Sequence, residues 1–173
     1  MSLIIKRATV EDAETISKIH ALSWKSAYRG IVPQAYLDGI KEDLWVPAFR
    51  KWFAEGVFRA DILYCNEEAV GCVTYGRGRN GRFRGWGEIV ALYILPDYCG
   101  LGLGKYLLSH ALNQLGLQGF GDCYLWVLAG NANARRFYEK HGFVWTGEKG
   151  EVEILGEKLV DLRYVQIRNS AHR

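Results

Sequence analysis

The chain has 173 residues, 49% of them hydrophobic and 24% charged, a balance that suits one folded domain with a sizeable core and excludes a mainly disordered chain. Lys+Arg 22 against Asp+Glu 19 gives +3, but Arg77, Arg79, Arg82 and Arg84 share one short stretch, and without them the count is 18 against 19; the basicity is local and speaks against a nucleic-acid partner. No apolar run reaches the roughly 18 residues of a membrane span, and Met1–Arg7 has no signal-peptide architecture, so a cytoplasmic protein without a membrane partner is expected.

Leu3-Ile4-Ile5, continuing into Lys6-Arg7-Ala8, reads as a first strand. Thr9 with Asp12 three residues later marks a helix start, and Ala13, Ile16 and Ile19 place one face of that helix in a core. The helix runs to about Tyr28 and stops at Gly30. Pro33 opens a short second helix, and Leu44–Phe53 gives a third, ended by Gly56. The period then changes. Phe58–Cys65 and Val70–Tyr75 alternate as a hairpin around Asn66-Glu67-Glu68, and Gly76–Gly85 is a basic, glycine-rich loop. Glu88–Leu95 (EIVALYIL) is almost continuously apolar, as a strand covered on both faces would be. A glycine turn follows, then a helix from about Gly102 to Leu115, a buried strand Cys123–Leu128, and a helix Ala132–His141 closed by Gly142. Phe143–Trp145 and Lys158–Ile167 read as the last strands. The result is one α/β domain over residues 1–173, a mixed sheet with helices on both faces.

Of 20 glycines, 17 fall at or after Gly71, so the front is helical and aromatic-rich and the back turn- and strand-rich. Cys65, Cys72, Cys99 and Cys123, and the four histidines His20, His110, His141 and His172, fit no metal or redox spacing. No metal is expected, and the thiols read as free.

The densest chemical signal is Pro96-Asp97-Tyr98-Cys99-Gly100-Leu101-Gly102-Leu103-Gly104-Lys105, between a buried strand and a helix. Such a turn exposes backbone N–H groups at a partly positive helix start, which suits a phosphate or pyrophosphate. It is no dinucleotide fingerprint, because Lys105 and Leu107 stand where a last glycine is needed; Tyr106 and Cys99 break the P-loop pattern. A plain tight strand-to-helix connection is the alternative.

A second segment, Asn131-Ala132-Asn133-Ala134-Arg135-Arg136-Phe137-Tyr138-Glu139-Lys140-His141-Gly142-Phe143, lies beyond the next strand. With it, the chain resembles the GNAT superfamily of acyl-CoA-dependent N-acetyltransferases over residues 3 to 167. The loop [R/Q]-x-x-G-x-[G/A] of that family corresponds to Cys99–Gly104, and its N-x-x-A-x-x-[FL]-Y-E-K-x-G-F motif to Asn131–Phe143. Trp24–Pro33 (WKSAYRGIVP) also looks like one bacterial-type branch. Cys99 departs from the usual Arg or Gln, and Leu101 from a commonly basic or polar residue, with Lys105 able to supply part of the missing charge.

The resemblance implies a single acetyltransferase domain with a GNAT-like mixed sheet of about seven strands, splayed between Glu88–Leu95 and Cys123–Leu128. It implies acetyl-CoA as cosubstrate, its pantetheine arm on the backbone of Leu92, Tyr93 and Ile94, and its pyrophosphate on the amides of Gly100, Leu101, Gly102, Leu103, Gly104 and Lys105. Asn131 would contact the cofactor near the thioester, and it also suits a helix N-cap. Tyr138 would donate to the leaving thiolate, Phe137 taking the core; two packed aromatics are the alternative. Glu88, the only acid of its strand, is the candidate base for the acceptor amine, directly or through water. Its alternative is a cap at the strand end that faces solvent or pairs with a nearby arginine. Trp24 and Tyr28, with the Pro33–Tyr36 segment, would line the acceptor side or pack an aromatic core. A branch that acetylates protein N-termini has an acid where this chain has Trp126, which counts against that branch. The expected function is direct transfer of an acetyl group to an amine of a small molecule or peptide. The alternatives are a non-catalytic acyl-CoA sensor on the same fold and an RNA-binding protein using the arginine loop. Pairing of late strands in the family would imply a homodimer.

Overall fold

In the computed structural model, which describes residues 1–168, seven strands form one sheet in the order β1-β2-β3-β4-β5-β7-β6. The strands are β1 (Leu3–Arg7), β2 (Phe58–Cys65), β3 (Glu68–Arg77), β4 (Gly87–Ile94), β5 (Cys123–Leu128), β6 (Val144–Ile154) and β7 (Glu157–Gln166). The helices are α1 (Ala13–Ala27), α2 (Gln34–Gly39), α3 (Val46–Glu55), α4 (Leu103–Leu117) and α5 (Ala132–Lys140). Asp12 accepts a 2.8 Å hydrogen bond from the Thr9 backbone N–H, and a 3₁₀ turn over Val10–Asp12 leads into α1. Of the sequence calls, His172 lies outside the described residues.

One face of the sheet is covered by α4 and α5. Leu103, Leu107, Ala111 and Leu115 of α4 pack there on Val73, Ile89, Leu125 and Leu162. The other face carries α1 and α3, with Ile16, Ile19 and Phe49 against Ile62 and Cys72. A third apolar cluster joins Ala21, Val32 and Leu37 of the front to Ile154 of β6.

Five of the six neighbouring strand pairs are antiparallel, and the sixth is incomplete. β4 and β5 are parallel and pair only at Gly87↔Cys123 and Glu88↔Tyr124. Beyond those two positions the strands diverge while β3 still follows β4 to Ile94 and β7 follows β5 to Leu128. The expected splay is present, and it leaves backbone groups of two central strands without a ladder partner.

The largest departure from the sequence reading is β6. Phe143–Trp145 was the whole of the expected strand, yet β6 runs eleven residues, Val144–Ile154. Thr146-Gly147-Glu148-Lys149-Gly150 is polar and glycine-rich, so by pattern it reads as a loop. The register shifts between Trp145 and Lys149, which is how an edge strand absorbs such a segment. The β6–β7 turn passes through Leu155 and Gly156, both at positive φ.

Candidate active site

The splay opens into a cleft of about 1370 Å³, larger than the roughly 300–1,000 Å³ of most small-ligand pockets. Its floor on the β4 side is backbone. The Leu95 N–H bonds to the Val70 carbonyl at 2.8 Å. Antiparallel ladders alternate, so Tyr93 also turns its backbone to β3, whereas Leu92 and Ile94 turn theirs to the gap. The Ile94 carbonyl is met there by Ser23 Oγ at 3.3 Å. Of the three backbone positions expected on β4, two therefore face the gap. Tyr93 offers its side chain instead: its ring stands edge-on to His20 and its hydroxyl lies 3.3 Å from that of Tyr28. Burial pushes both phenols up, so both stay neutral.

The glycine turn lies at one end of the gap. Gly100 and Gly102 have φ of +80° and +78°, the left-handed region, and a Cβ at either would meet nothing within 4 Å. The backbone of the turn is thus bare, and it enters α4, whose first turn carries no acid. This is an anion-binding geometry. Lys105 and Cys99 line the cleft beside it. Leu101 points to solvent and Leu103 into the core, so these two offer the turn only their amides. At Gly104 a Cβ would lie 3.3 Å from the Phe137 ring, so the missing side chain lets α5 close on α4. Burial pushes the Cys99 thiol up, the wrong direction for a nucleophile.

Helix α5 supplies the next groups. Asn131 caps it, accepting from the Ala134 N–H at 3.1 Å, and lines the cleft. Tyr138 is the buried residue of α5. Phe137 does not take the core alone: it packs on it half-buried, against Gly104 and His141, while Tyr138 is buried there with Phe143, which is the arrangement of two packed aromatics held open as the alternative. Both still reach the cleft. The Tyr138 hydroxyl makes no hydrogen bond among the described residues, and burial raises its pKa, so it is a neutral donor facing the gap.

Trp24 and Tyr28 were expected on the acceptor side. Trp24 and Tyr28 line the cleft, ring centroids 4.5 Å apart, with Tyr36 packed behind Trp24 at 6.1 Å. Pro33–Tyr36 supports that wall without lining it. Trp126, Val152, Ile154 and Asp161 form the opposite wall. None of these last four was singled out as a site residue by sequence. The one available signal was Asp161, an acid inside the otherwise apolar run Leu159–Leu162.

Glu88 is placed differently. It is 2% exposed and does not line the cleft. Its carboxylate accepts from Arg79 Nη2 at 2.7 Å and Nε at 3.1 Å, and from the Tyr124 hydroxyl at 3.1 Å. Arg79 in turn lies over the Phe58 ring. This is the arginine pairing that the sequence held open as the alternative to a base. Of the other loop arginines, Arg82 is near Glu148 at 3.6 Å, and none of the four lines the cleft. Cys65, Cys72 and Cys123 are buried free thiols. Among the described residues, no group of His, Cys, Asp and Glu is arranged to hold a metal ion, and no helix is long and apolar enough to cross a membrane.

A splayed parallel pair, an open glycine turn at a helix start and a buried phenol between them define an acyltransferase class, and comparison with known proteins agrees. The family model described as Acetyltransferase (GNAT) family matches residues 16–143; the chain belongs to the GNAT family of acetyltransferases. It is 28% identical over 163 residues to the spermidine N(1)-acetyltransferase of Thermoplasma acidophilum, covering 91% of this chain and 98% of that protein. It is 27% identical over 158 residues to YuaI of Bacillus subtilis, named as an uncharacterized N-acetyltransferase, covering 91% and 89%. The crystal structure of PaiA N-acetyltransferase from Thermoplasma acidophilum in complex with coenzyme A matches with a TM-score of 0.80 at 23% identity, over 96% of this chain and 99% of that one. At that identity the likeness speaks for the fold.

Proposed function

We propose that the chain is an acetyl-CoA-dependent N-acetyltransferase that moves the acetyl group directly to an amine of a small molecule or peptide. One observation carries this reading: the gap-facing backbone of Leu92 and Ile94 leads from the bare glycine turn to the Tyr138 hydroxyl along one continuous cleft. The residues fit coenzyme A on this structure's own terms. Unpaired strand amides in a buried gap suit the two amides of a pantetheine arm, as an added strand would, and the turn and α4 suit a pyrophosphate.

Bound acetyl-CoA would supply the acetyl group as a thioester, whose C–S bond would break as the amine nitrogen, having lost its ammonium proton to water, forms the new C–N bond, the second nitrogen proton also leaving to water as Tyr138 protonates the sulfur and is itself restored. The chain's own part is to orient and to hold protons. Leu92 and Ile94 fix the arm through their backbone. Gly100, Gly102 and the amides between them take the phosphates, and Lys105 adds a charge at the same end. Asn131, already the N-cap of α5, presents its remaining polar atoms to the cleft. Tyr138, kept neutral by burial, donates a hydrogen bond or its proton to the leaving sulfur. Glu88 holds Arg79 and Tyr124 at the closed end of the splay, where β4 and β5 still pair. Trp24 and Tyr28 shape the acceptor side. The site of action we infer is the cytoplasm.

The test is mass spectrometry of a mixed amine panel incubated with acetyl-CoA, run on the wild type and on Tyr138→Phe. The wild type is expected to acetylate at least one amine. Tyr138→Phe is expected to lower kcat by about 10²-fold while leaving coenzyme A affinity within about threefold. Coenzyme A binding with no product from any amine class would instead favour a sensor.

A further inference from the structure

Among the described residues, the cleft is lined by a single carboxylate. Every other charged residue lining it is basic: Arg29, Lys105 and Lys140. That carboxylate is Asp161 of β7. Its Oδ1 is shielded from solvent and has no hydrogen-bond partner. No side chain among the described residues bonds to its Oδ2, and the residue lines the cleft. A partly buried carboxylate without side-chain partners is costly. It persists here although a cation stands close by on the same strand face. Arg163 is directed elsewhere: Nη1 donates to Glu148 at 2.7 Å, and its guanidinium lies 4.4 Å from the Trp126 ring centroid and 4.5 Å from that of Phe83.

Room for Asp161 is built into the neighbouring strand. Gly150 pairs with Asp161 across β6 and β7, and a Cβ at Gly150 would collide with Asp161 Oδ1 and crowd the Trp126 ring. Glycine at this position therefore lets the carboxylate sit beside Trp126. Around it the wall is apolar and aromatic: Trp126, Val152, Ile154, and across the cleft Trp24 and Tyr28. Burial pushes the Asp161 carboxyl up from its ordinary value, against smaller opposing pulls from the backbone N–H groups of Asp161 and Gly150 and from Arg163.

We propose that Asp161 receives the ammonium group of the acceptor, and that the acceptor is a primary amine with one positive charge on an apolar or aromatic stem. This rests on the reading of the chain as an N-acetyltransferase and names the substrate class for that site. A cation on Asp161 fills the empty hydrogen-bonding capacity of the carboxylate, and rings nearby add cation–π attraction. A polyamine carries several ammonium groups, and beyond the first each would meet an apolar wall or the cations Arg29 and Lys140. The spermidine named for one relative is therefore the wrong class for this cleft.

The experiment is calorimetric titration of amines into the protein saturated with coenzyme A, so that binding is read without turnover. The probes are 2-phenylethylamine, the uncharged 2-phenylethanol, and spermidine. 2-Phenylethylamine is expected to bind more tightly than spermidine. Asp161→Asn is expected to weaken 2-phenylethylamine by at least about tenfold and to leave 2-phenylethanol within about twofold. Because Asp161 has no side-chain partner among the described residues, and Asn keeps an oxygen for the backbone N–H groups, the variant should melt at the wild-type temperature or above it, the mark of a group kept for function. Gly150→Ala serves as the second variant, since it displaces the same carboxylate without removing it, and it should weaken the amine and spare the alcohol. Equal loss of amine and alcohol, a loss of amine under about threefold, tighter binding of spermidine, or no amine binding by the wild type each overturns the proposal. Failure of the transferase reading is distinct: coenzyme A itself would not bind, or a bound amine would gain no acetyl group.

Discussion

The two sides of the cleft are made of different material. The cofactor side is backbone: Leu92 and Ile94 facing a gap, and a turn in which Gly100 and Gly102 present no side chain. The acceptor side is side chains from remote parts of the chain, Trp24 and Tyr28 from α1 and its end, Trp126 from β5, Asp161 from β7. A backbone site depends on φ, strand divergence and glycine, so it tolerates many side chains around it. That is why Cys99 and Leu101, at positions where the family has other residues, leave the geometry of the turn intact. A side-chain site depends on which residues the fold brings together, so a single substitution redefines what it accepts.

The two acids on the acceptor face of the sheet show the same contrast at small scale. Glu88 is saturated, with four hydrogen bonds from Arg79 and one from Tyr124. Asp161 has none from a side chain among the described residues. Saturation marks a structural role, and an open carboxylate in a cleft marks a binding one.

Three changes break or sharpen this comparison. The largest effect belongs to the backbone side. Gly102→Val forces a β-branched residue into a left-handed conformation, at about 1–2 kcal/mol, and drops a side chain over the bare amides. Coenzyme A affinity, read by calorimetry, should fall at least about 10²-fold, far more than stability does. Unchanged affinity would show that the turn does not hold the cofactor.

The second change concerns His20, which sits behind the acceptor wall against Tyr93, Phe49 and Trp45. Burial lowers its pKa from 6.5 to about 3. The folded imidazole stays neutral, while the unfolded one takes a proton at its ordinary pKa. Its contribution is therefore full above about pH 6.5 and is lost as pH falls toward 3. Between pH 7 and pH 4.5 that loss is about 2–3 kcal/mol. Urea unfolding should show a steeper acid limb for the wild type than for His20→Phe; parallel limbs would place the imidazole in contact with water.

The smallest effect is expected at Glu88. Glu88→Gln removes one partner of a buried pair whose arginine is half exposed, so stability should drop by about 1–3 kcal/mol. Turnover measured well below the melting temperature should stay within about threefold. A loss of kcat of about 10²-fold at unchanged melting temperature would return the base role to this carboxylate.

Much of the fold was legible in the sequence because its signals are local. The apolar run from Glu88 to Leu95 could only be a covered strand, and Pro96 ended it. Asn131 and Gly142 bracket α5 by their own capping chemistry. The glycine turn and the Asn131–Phe143 segment carried the family resemblance for the same reason, since backbone conformation and helix capping are written into adjacent residues. The misreadings lie where partners across space decide. β6 is a strand because β7 offers it a ladder, not because Thr146–Gly150 prefers to be extended. Tyr138 is buried while Phe137 packs half-buried on the core because Gly104 leaves a seat for the Phe137 ring at the helix α4 surface.

The sequence by itself determined the α/β class, the order of the elements, the anion-suited turn and the family, all of which follow from hydrophobic period, proline, glycine and caps within a few residues of one another. The tertiary structure alone decided which acids are chemically free. Glu88 is the only acid of β4, and Asp161 is the acid inside the apolar run Leu159–Leu162 of β7. Only their neighbours distinguish them: Arg79 and Tyr124 fold over the first, while the second, seated over Gly150 at the cleft, has no side-chain partner among the described residues. Hydrogen-bond saturation is a property of contacts between distant segments, so no local pattern could record it.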